Sequence, residues 1–508
     1  MKTRILLILT ISAILIVSTF SSASSSGIRT TIQLTSNVYN DGSQQTNSKG
    51  DVIWQGLDGS DYEIFLYQGA NGTILQLTNN NAIDTTPQIN ANGDVVWFSY
   101  SGNDYEIYLY ERSTGTTRLL ANSDFDLWSP QINCRGDVAW LGYDGHDYEI
   151  FLYERASGTT HQLTNNDLSE WSPQINCNGD VVWQGYDGKD YEIFLYDAAS
   201  SATLQFTNNN YSDTSPQINS NGDVVWYGYD GKDYEIYLYE RASGATLQLT
   251  NNNYSDTWPQ INSKGDVVWQ GYDGKDYEIF LYDAANGTIL QLTNNNYNDM
   301  SPQINSNGDV VWHGYDGGDY EIFLYERATG TTLQLTNNDY SDTSPQINGN
   351  GDIVWQGDNG SGSDIFLSLG IIEVEIDIKS GGNPNTINLK SKGVVPVAVL
   401  TTQDFDASTV MPYSVIFAGA SPVRWRLADV DRDGDMDMLF YFRTQELVEL
   451  NEDSTEATLT GETSDGIAIK GTDSVNIVSK GAKKKCDKHF HNHFHKHFHK
   501  DCHKSHCR

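Results

Sequence analysis

Between Asp51 and Leu367 the hydrophobic positions fall into short runs separated by polar turns, and the runs recur on one beat. Gly-Asp-Val-Val-Trp or a near copy appears eight times, so that Trp54, Trp97, Trp140, Trp183, Trp226, Trp269, Trp312 and Trp355 follow one another every 43 residues. In the unit from Ser215 to Thr257 the runs are Pro216 to Ile218, Asp223 to Trp226, Glu235 to Tyr239 and Thr246 to Thr250. Val224, Val225, Ile236, Tyr237, Leu247 and Leu249 are strand formers, and no run has a helical period. Asn221-Gly222, Asp230-Gly231 and Ser243-Gly244 supply tight reversals between them. Four short antiparallel strands per unit predict the blades of a β-propeller, in which no unit buries its own core.

The two ends of the array are offset. The last unit stops after its third run, Asp364 to Leu367, while an unmatched run, Thr31 to Thr35, precedes the first. A strand donated from the N-terminal side would complete the eighth blade, a device that an open row of repeats does not need. The expected fold is therefore all-β, an eight-bladed β-propeller over residues 28–369 with four strands per blade. Pro216-Gln-Ile-Asn-Ser-Asn221-Gly222, Asp233-Tyr-Glu-Ile and Leu247-Gln-Leu-Thr250 resemble the TolB-type (WD40-like) propeller repeat. Ile218 and Ser220 depart from it, standing where that pattern has Trp and a second Pro. The resemblance covers Thr31 to Leu369 and implies fold more than function, since members serve as periplasmic interaction modules, surface-layer components and parts of enzymes.

At Ile371 the beat stops. Runs Ile372 to Ile378, Val394 to Leu400, Ser414 to Ala418, Met438 to Phe442 and Ala457 to Leu459 predict a C-terminal β-sandwich over residues 371–480. The stretch from Ile376-Asp-Ile-Lys379 to Val394-Val-Pro-Val-Ala-Val resembles an accessory domain of secreted proteins. Within it Asp429, Asp431, Asp433, Asp435 and Asp437 alternate around Gly434, a pattern that wraps oxygens about calcium. In that register Asp429, Asp431, Asp433 and Asp437 offer side chains and Asp435 its backbone carbonyl. Phe440 replaces the last EF-hand ligand, and the loop more closely resembles the calcium loops of integrin-type propellers and dockerins. Residues 481–508 form a tail expected to be disordered, in which His489, His491, His493, His495, His497 and His499 alternate before Cys502, His503, His506 and Cys507. Those donors suit zinc, nickel or copper, without the spacing of a zinc finger.

Charge narrows the partners. A formal net charge of −36 at pH 7 argues against nucleic acid, which needs a basic footprint. Lys2 and Arg4, the apolar run Ile5 to Phe20 and Ser21-Ser22-Ala23 read as a signal peptide over residues 1–23. The protein is thus expected to be secreted or at the cell surface, with no membrane span in the mature chain. Cys134 and Cys177 occupy one column of adjacent units. Equivalent positions in neighbouring units often sit too far apart for a disulfide, so their pairing stays open.

Strands alternate in direction, so the loops after the second and fourth strands of each blade share a face. That face collects Trp128, Trp171, Trp258, Tyr211 and Tyr254 beside Asn and Asp, residues that grip a glycan or a surface protein. The Tyr column recurs from blade to blade and also suits packing, whereas the Trp residues differ between blades. The acidic column Glu170, Asp213, Asp256, Asp299 and Asp342 is expected to bond backbone amides. Triplets such as Asp230, Asp233 and Glu235 suit calcium in principle, but Asp-Gly belongs to the turn, and a structural turn is the expectation. No Ser-His-acid set is evident, and no carboxylate pair stands out for glycoside hydrolysis. The leading expectation is a non-enzymatic exported binding scaffold. The alternatives are a secreted carbohydrate-active enzyme using the propeller's central pocket and a structural surface-layer component.

Overall fold

A computed structural model describes residues 29–379, 385–402, 405–464 and 468–478; the expected signal peptide and the His- and Cys-rich tail lie outside the described residues. The chain divides into two compact units, residues 1–373 with 462–469 and residues 374–461 with 470–508.

The first unit is an eight-bladed β-propeller of four-stranded antiparallel sheets. In one blade the inner strand is Asp213–Ile218, followed by Val224–Tyr229, Tyr234–Glu240 and the outer strand Ala245–Gln248. The last blade has Asp342–Ile347, Ile353–Asp358 and Ser363–Ser368, and its fourth strand is Thr31–Gln33, paired antiparallel with Ser363–Ser368. The offset ends therefore meet as the sequence predicts.

The period exists because the core lies between blades, not within them. Side chains alternate across a strand, so Val224 and Trp226 face one neighbour while Val225 faces the other. Val224 and Trp226 pack with Val182, Ile193 and Leu195 of the preceding blade. Val225, Ile236 and Leu238 pack with Val267 and Trp269 of the following one. Each Trp also stacks on the aromatic ring of its own third strand, Trp226 on Tyr237 at 5.8 Å. The last interface joins the array's ends: Ile32, Leu34, Val354, Ile365 and Leu367 cluster with Val52 and Trp54 of the first blade.

Near the turn after each inner strand, polar groups close the same circuit. The Nδ2 of Asn47 donates to the carbonyl of Asn90, and the relay continues through Asn133, Asn176, Asn219, Asn262, Asn305 and Asn348 back to Asn47, at 2.7–3.2 Å. Cys134 and Cys177 follow two members of this ring and form a disulfide, with Cα atoms 5.3 Å apart. Neighbouring blades converge here, which brings equivalent positions closer than a generic repeat spacing suggests. Closing a 43-residue loop stabilises by about 4 kcal/mol in the chain-entropy estimate. Cys134→Ser with Cys177→Ser should therefore lower the urea midpoint, and reductant should lower the wild type to match.

The second unit has two sheets. One runs Ile376–Ile378, Val394–Val399, Asp437–Arg443, Pro422–Ala428; the other contains Asn385–Ile387, Ala468–Ile477, Glu456–Glu462 and Ile416–Phe417. Phe417 of one sheet meets Phe442 of the other at 5.2 Å. Pro422–Ala428 and Ala468–Ile477 were not among the predicted runs. Charged and polar residues such as Arg424, Arg426, Lys470 and Asp473 interrupt their apolar signal.

Candidate functional site

What every blade repeats is mostly architecture. The acidic column does not bond backbone amides as expected. Asp213 Oδ1 accepts from the indole of Trp226 at 3.0 Å and its Oδ2 from Asn209 Nδ2 at 2.6 Å, and the same set recurs at Asp256, Asp299 and Asp342. One backbone amide near the column, that of Asn252, donates instead to Glu235 Oε1. Burial, ahead of these bonds, pushes the carboxyls of Asp213, Asp299 and Asp342 up to about 6 and that of Asp256 up to about 7.

Tyr211 and Tyr254, predicted as ligand contacts or packing, are half exposed and lean on turns of their own blades. An added Cβ at Gly231 would lie 2.7 Å from the Tyr211 hydroxyl, and one at Gly274 equally close to that of Tyr254. Both glycines have φ above +100°, a conformation that also requires them. Tyr211 meets Tyr229 edge-on at 5.7 Å, and Tyr254 meets Tyr272 at 5.8 Å.

One sector departs from the pattern. Asp126 stands where sister blades carry Asn40, Ile83, Ser169, Ser212, Ser255, Asn298 and Ser341. It lies just before the inner strand Leu127–Ile132 of the third blade and is partly accessible. Tyr148 donates its hydroxyl to Asp126 Oδ2 at 3.0 Å, and Asp126 also raises the phenol of Tyr105 from the second blade. Trp128 stacks on Phe98 with centroids 4.8 Å apart, and its ring is 6.2 Å from Tyr105. Trp171 lies 4.7 Å from Tyr148. The result is a carboxylate bonded by one phenol, neighboured by a second from the adjacent blade and flanked by two indoles. Asp126 raises the Tyr105 phenol, and burial, then the bond to Asp126, raises Tyr148. Both phenols therefore keep their protons, and Tyr148 is the donor to Asp126.

The two indoles were expected from sequence as blade-specific features; Asp126, Tyr105 and Tyr148 were not. Tyr105 and Tyr148 belong to a column shared by sister blades and gain distinction only from Asp126. The available signal was the single acid in a column otherwise of Ser, Asn and one Ile. Trp258 lies apart from this sector, 56% exposed and 6.2 Å from Tyr227. It occupies a bulge with φ of +56° where other blades place Ser or Thr. His313 is buried, and burial alone lowers its imidazole to about 4, so it is neutral at pH 7.

Acidic groups that could hold a metal recur in the propeller, where Asp58, Asp61 and Glu63 form one set and Asp230, Asp233 and Glu235 another. In the second unit Asp429 to Asp437 form the hairpin before the strand Asp437–Arg443. Asp437 is fully buried and accepts backbone amides from Thr401 at 2.9 Å and Val430 at 2.7 Å. Asp429, Asp431 and Asp433 each cap a backbone amide within the loop, while Asp435 Oδ1 is buried without a partner. Among the described residues no helix is long and apolar enough to cross a membrane.

No protein-family model and no curated protein matches the chain. Among solved structures it is similar to the β-propeller domain of the Trilobed protease from Pyrococcus furiosus, at 15% identity and TM-score 0.42, over 59% of this chain and 97% of that one. It is similar to an oligogalacturonate lyase from Vibrio parahaemolyticus at 11% identity and TM-score 0.45, over 68% and 94%. It is also similar to TolB from Acinetobacter baumannii at 15% and 0.34, over 60% and 80%. The likeness is one of fold. The expectation of a non-enzymatic scaffold is corrected to this extent: a lyase and two peptidases, all enzymes, stand among these neighbours.

Proposed function

We propose that the chain is an exported carbohydrate-active enzyme whose reacting centre is Asp126 with Tyr105 and Tyr148. The observation that carries this reading is the carboxylate that only one blade has at this position, bonded by the Tyr148 phenol and neighboured by that of Tyr105, beside Trp128 and Trp171. An indole face is a platform for the apolar face of a sugar ring. A carboxylate within reach of a bound sugar or water serves as general base, and a phenol serves as proton donor. Trp128 and Trp171 are the proposed glycan contacts; Tyr211 and Tyr254 support the rim. The calcium-loop residues Asp429, Asp431, Asp433 and Asp435 are proposed to take calcium in the second unit, with Asp437 bracing the hairpin.

The test is release of new chain ends from a panel of neutral and acidic polysaccharides. The wild type should cleave at least one, and Asp126→Asn should lose on the order of 100-fold or more in rate while melting as the wild type does. Tyr148→Phe should retain partial activity. Equal rates in the wild type and Asp126→Asn would remove this centre.

A further inference from the structure

The acidic triplets hold more negative oxygen than their turns use. In each of Asp58/Asp61/Glu63, Asp144/Asp147/Glu149, Asp187/Asp190/Glu192, Asp230/Asp233/Glu235 and Asp273/Asp276/Glu278, one oxygen from every carboxylate lies within 4.8 Å of the others. The turn itself accounts for part of the set. Asp230 Oδ1 accepts the amides of Lys232 at 2.8 Å and Asp233 at 3.3 Å, closing the reversal at Gly231. Glu235 Oε1 accepts the amide of Asn252 at 2.7 Å, in the segment leading to the next blade.

Asp233 Oδ1 and Glu235 Oε2 are then left buried with no hydrogen-bond partner, and Glu235 is 0% exposed. The same orphaned oxygens recur at Asp61 and Glu63, Asp147 and Glu149, Asp190 and Glu192, and Asp276 and Glu278. Among the described residues no lysine or arginine makes an ion pair with any of these carboxylates. A buried acceptor without a partner is destabilising, and a turn gives no reason to repeat it in five blades.

The second blade supplies an internal contrast. Ser101 replaces the first acid there, and Glu106 accepts from the hydroxyl of Tyr108 at Oε2, 3.1 Å, and from Asn122 Nδ2 at Oε1, 3.0 Å. Where the triplet is incomplete, the glutamate finds protein partners.

We propose that each of these five triplets binds one calcium ion at the junction between its blade and the next. An all-carboxylate donor set suits a hard cation and not zinc or copper. Calcium takes six to eight oxygens in flexible geometry, whereas magnesium demands near-octahedral coordination and keeps several waters, so a ready-made set of carboxylates suits calcium better. The glutamate that holds the ion with one oxygen holds the inter-blade segment with the other, so the ion braces the loop face. In the third blade the ligands Asp147 and Glu149 flank Tyr148, so the ion also fixes the phenol that bonds Asp126. That last consequence rests on the proposed catalytic reading; the binding itself does not.

The test is calcium stoichiometry of the full chain, stripped with EDTA and retitrated by equilibrium dialysis, with melting temperature followed in parallel. Five or more ions per chain are expected, with an upward shift in melting temperature on saturation. The Glu235→Gln, Glu278→Gln double variant should bind two fewer. Fewer than five ions in the wild type would overturn the proposal, as would an unchanged count in the folded double variant. If that variant fails to fold, the wild-type count decides, because the second unit's loop cannot account for five ions. Neither readout uses enzymatic activity, so failure here leaves the Asp126 reading to its own assay.

Discussion

Replacing Ile32 and Leu34 by alanine is expected to cost about 4–10 kcal/mol, from the 2–5 kcal/mol typical of each large-to-small core truncation. Both side chains belong to the three-residue strand and its extension that complete the eighth blade, at 8% and 7% exposure. They cluster with Leu367 of that blade and with Val52 and Trp54 of the first, so their loss loosens both a sheet edge and a blade interface. The loss rivals the whole stability of many domains. The same truncation at Leu204, 48% exposed on an outer strand, should stay within about 0.5 kcal/mol. Urea unfolding of the two variants checks the contrast; similar midpoints would mean that the N-terminal strand does not hold the ring.

The second large effect is on pH dependence. Burial lifts Asp256 to about 7 in the folded chain, against about 3.9 for an unfolded aspartate. Between those values the folded state binds the additional proton, so stability falls as pH rises through the window from about 4 to 7. Below it the stabilising contribution of the protonated group is fully present. The amide introduced by Asp256→Asn does not titrate, so the advantage of the wild type over that variant should shrink between pH 4.5 and 8, by roughly 4 kcal/mol at most. Melting temperatures of both proteins across that range measure it. A gap that widens with pH would show that Asp256 is held ionised instead.

These effects also show why the fold was readable and the site only partly so. Val224, Val225 and Trp226 declare a strand buried on both faces, and repetition at one spacing means neighbouring blades must bury them. The donated strand was legible because the array lacks one run at its end and has one to spare at its start. The acidic column misled because an acid near a turn suggests a local amide partner, whereas Asp213 bonds an indole from its neighbouring strand. The turn reading of the Asp and Glu triplets captured Asp230 but not the buried oxygens of Asp233 and Glu235. Burial of these two oxygens without partners is a tertiary fact with no sequence signature. Asp126 stands out only against the residues at the same position of the sister blades and through the Tyr148 hydroxyl that bonds it.

The central claim is that chemistry resides in the sector built around Asp126. It is tested most directly by comparing turnover of Asp126→Asn with that of Asn298→Ala, which alters the same column in a blade that lacks the Trp128 and Phe98 stack. On a polysaccharide that the wild type degrades, the account predicts a loss on the order of 100-fold or more for Asp126→Asn and nearly wild-type turnover for Asn298→Ala. Comparable losses in both, or none in either, would contradict it.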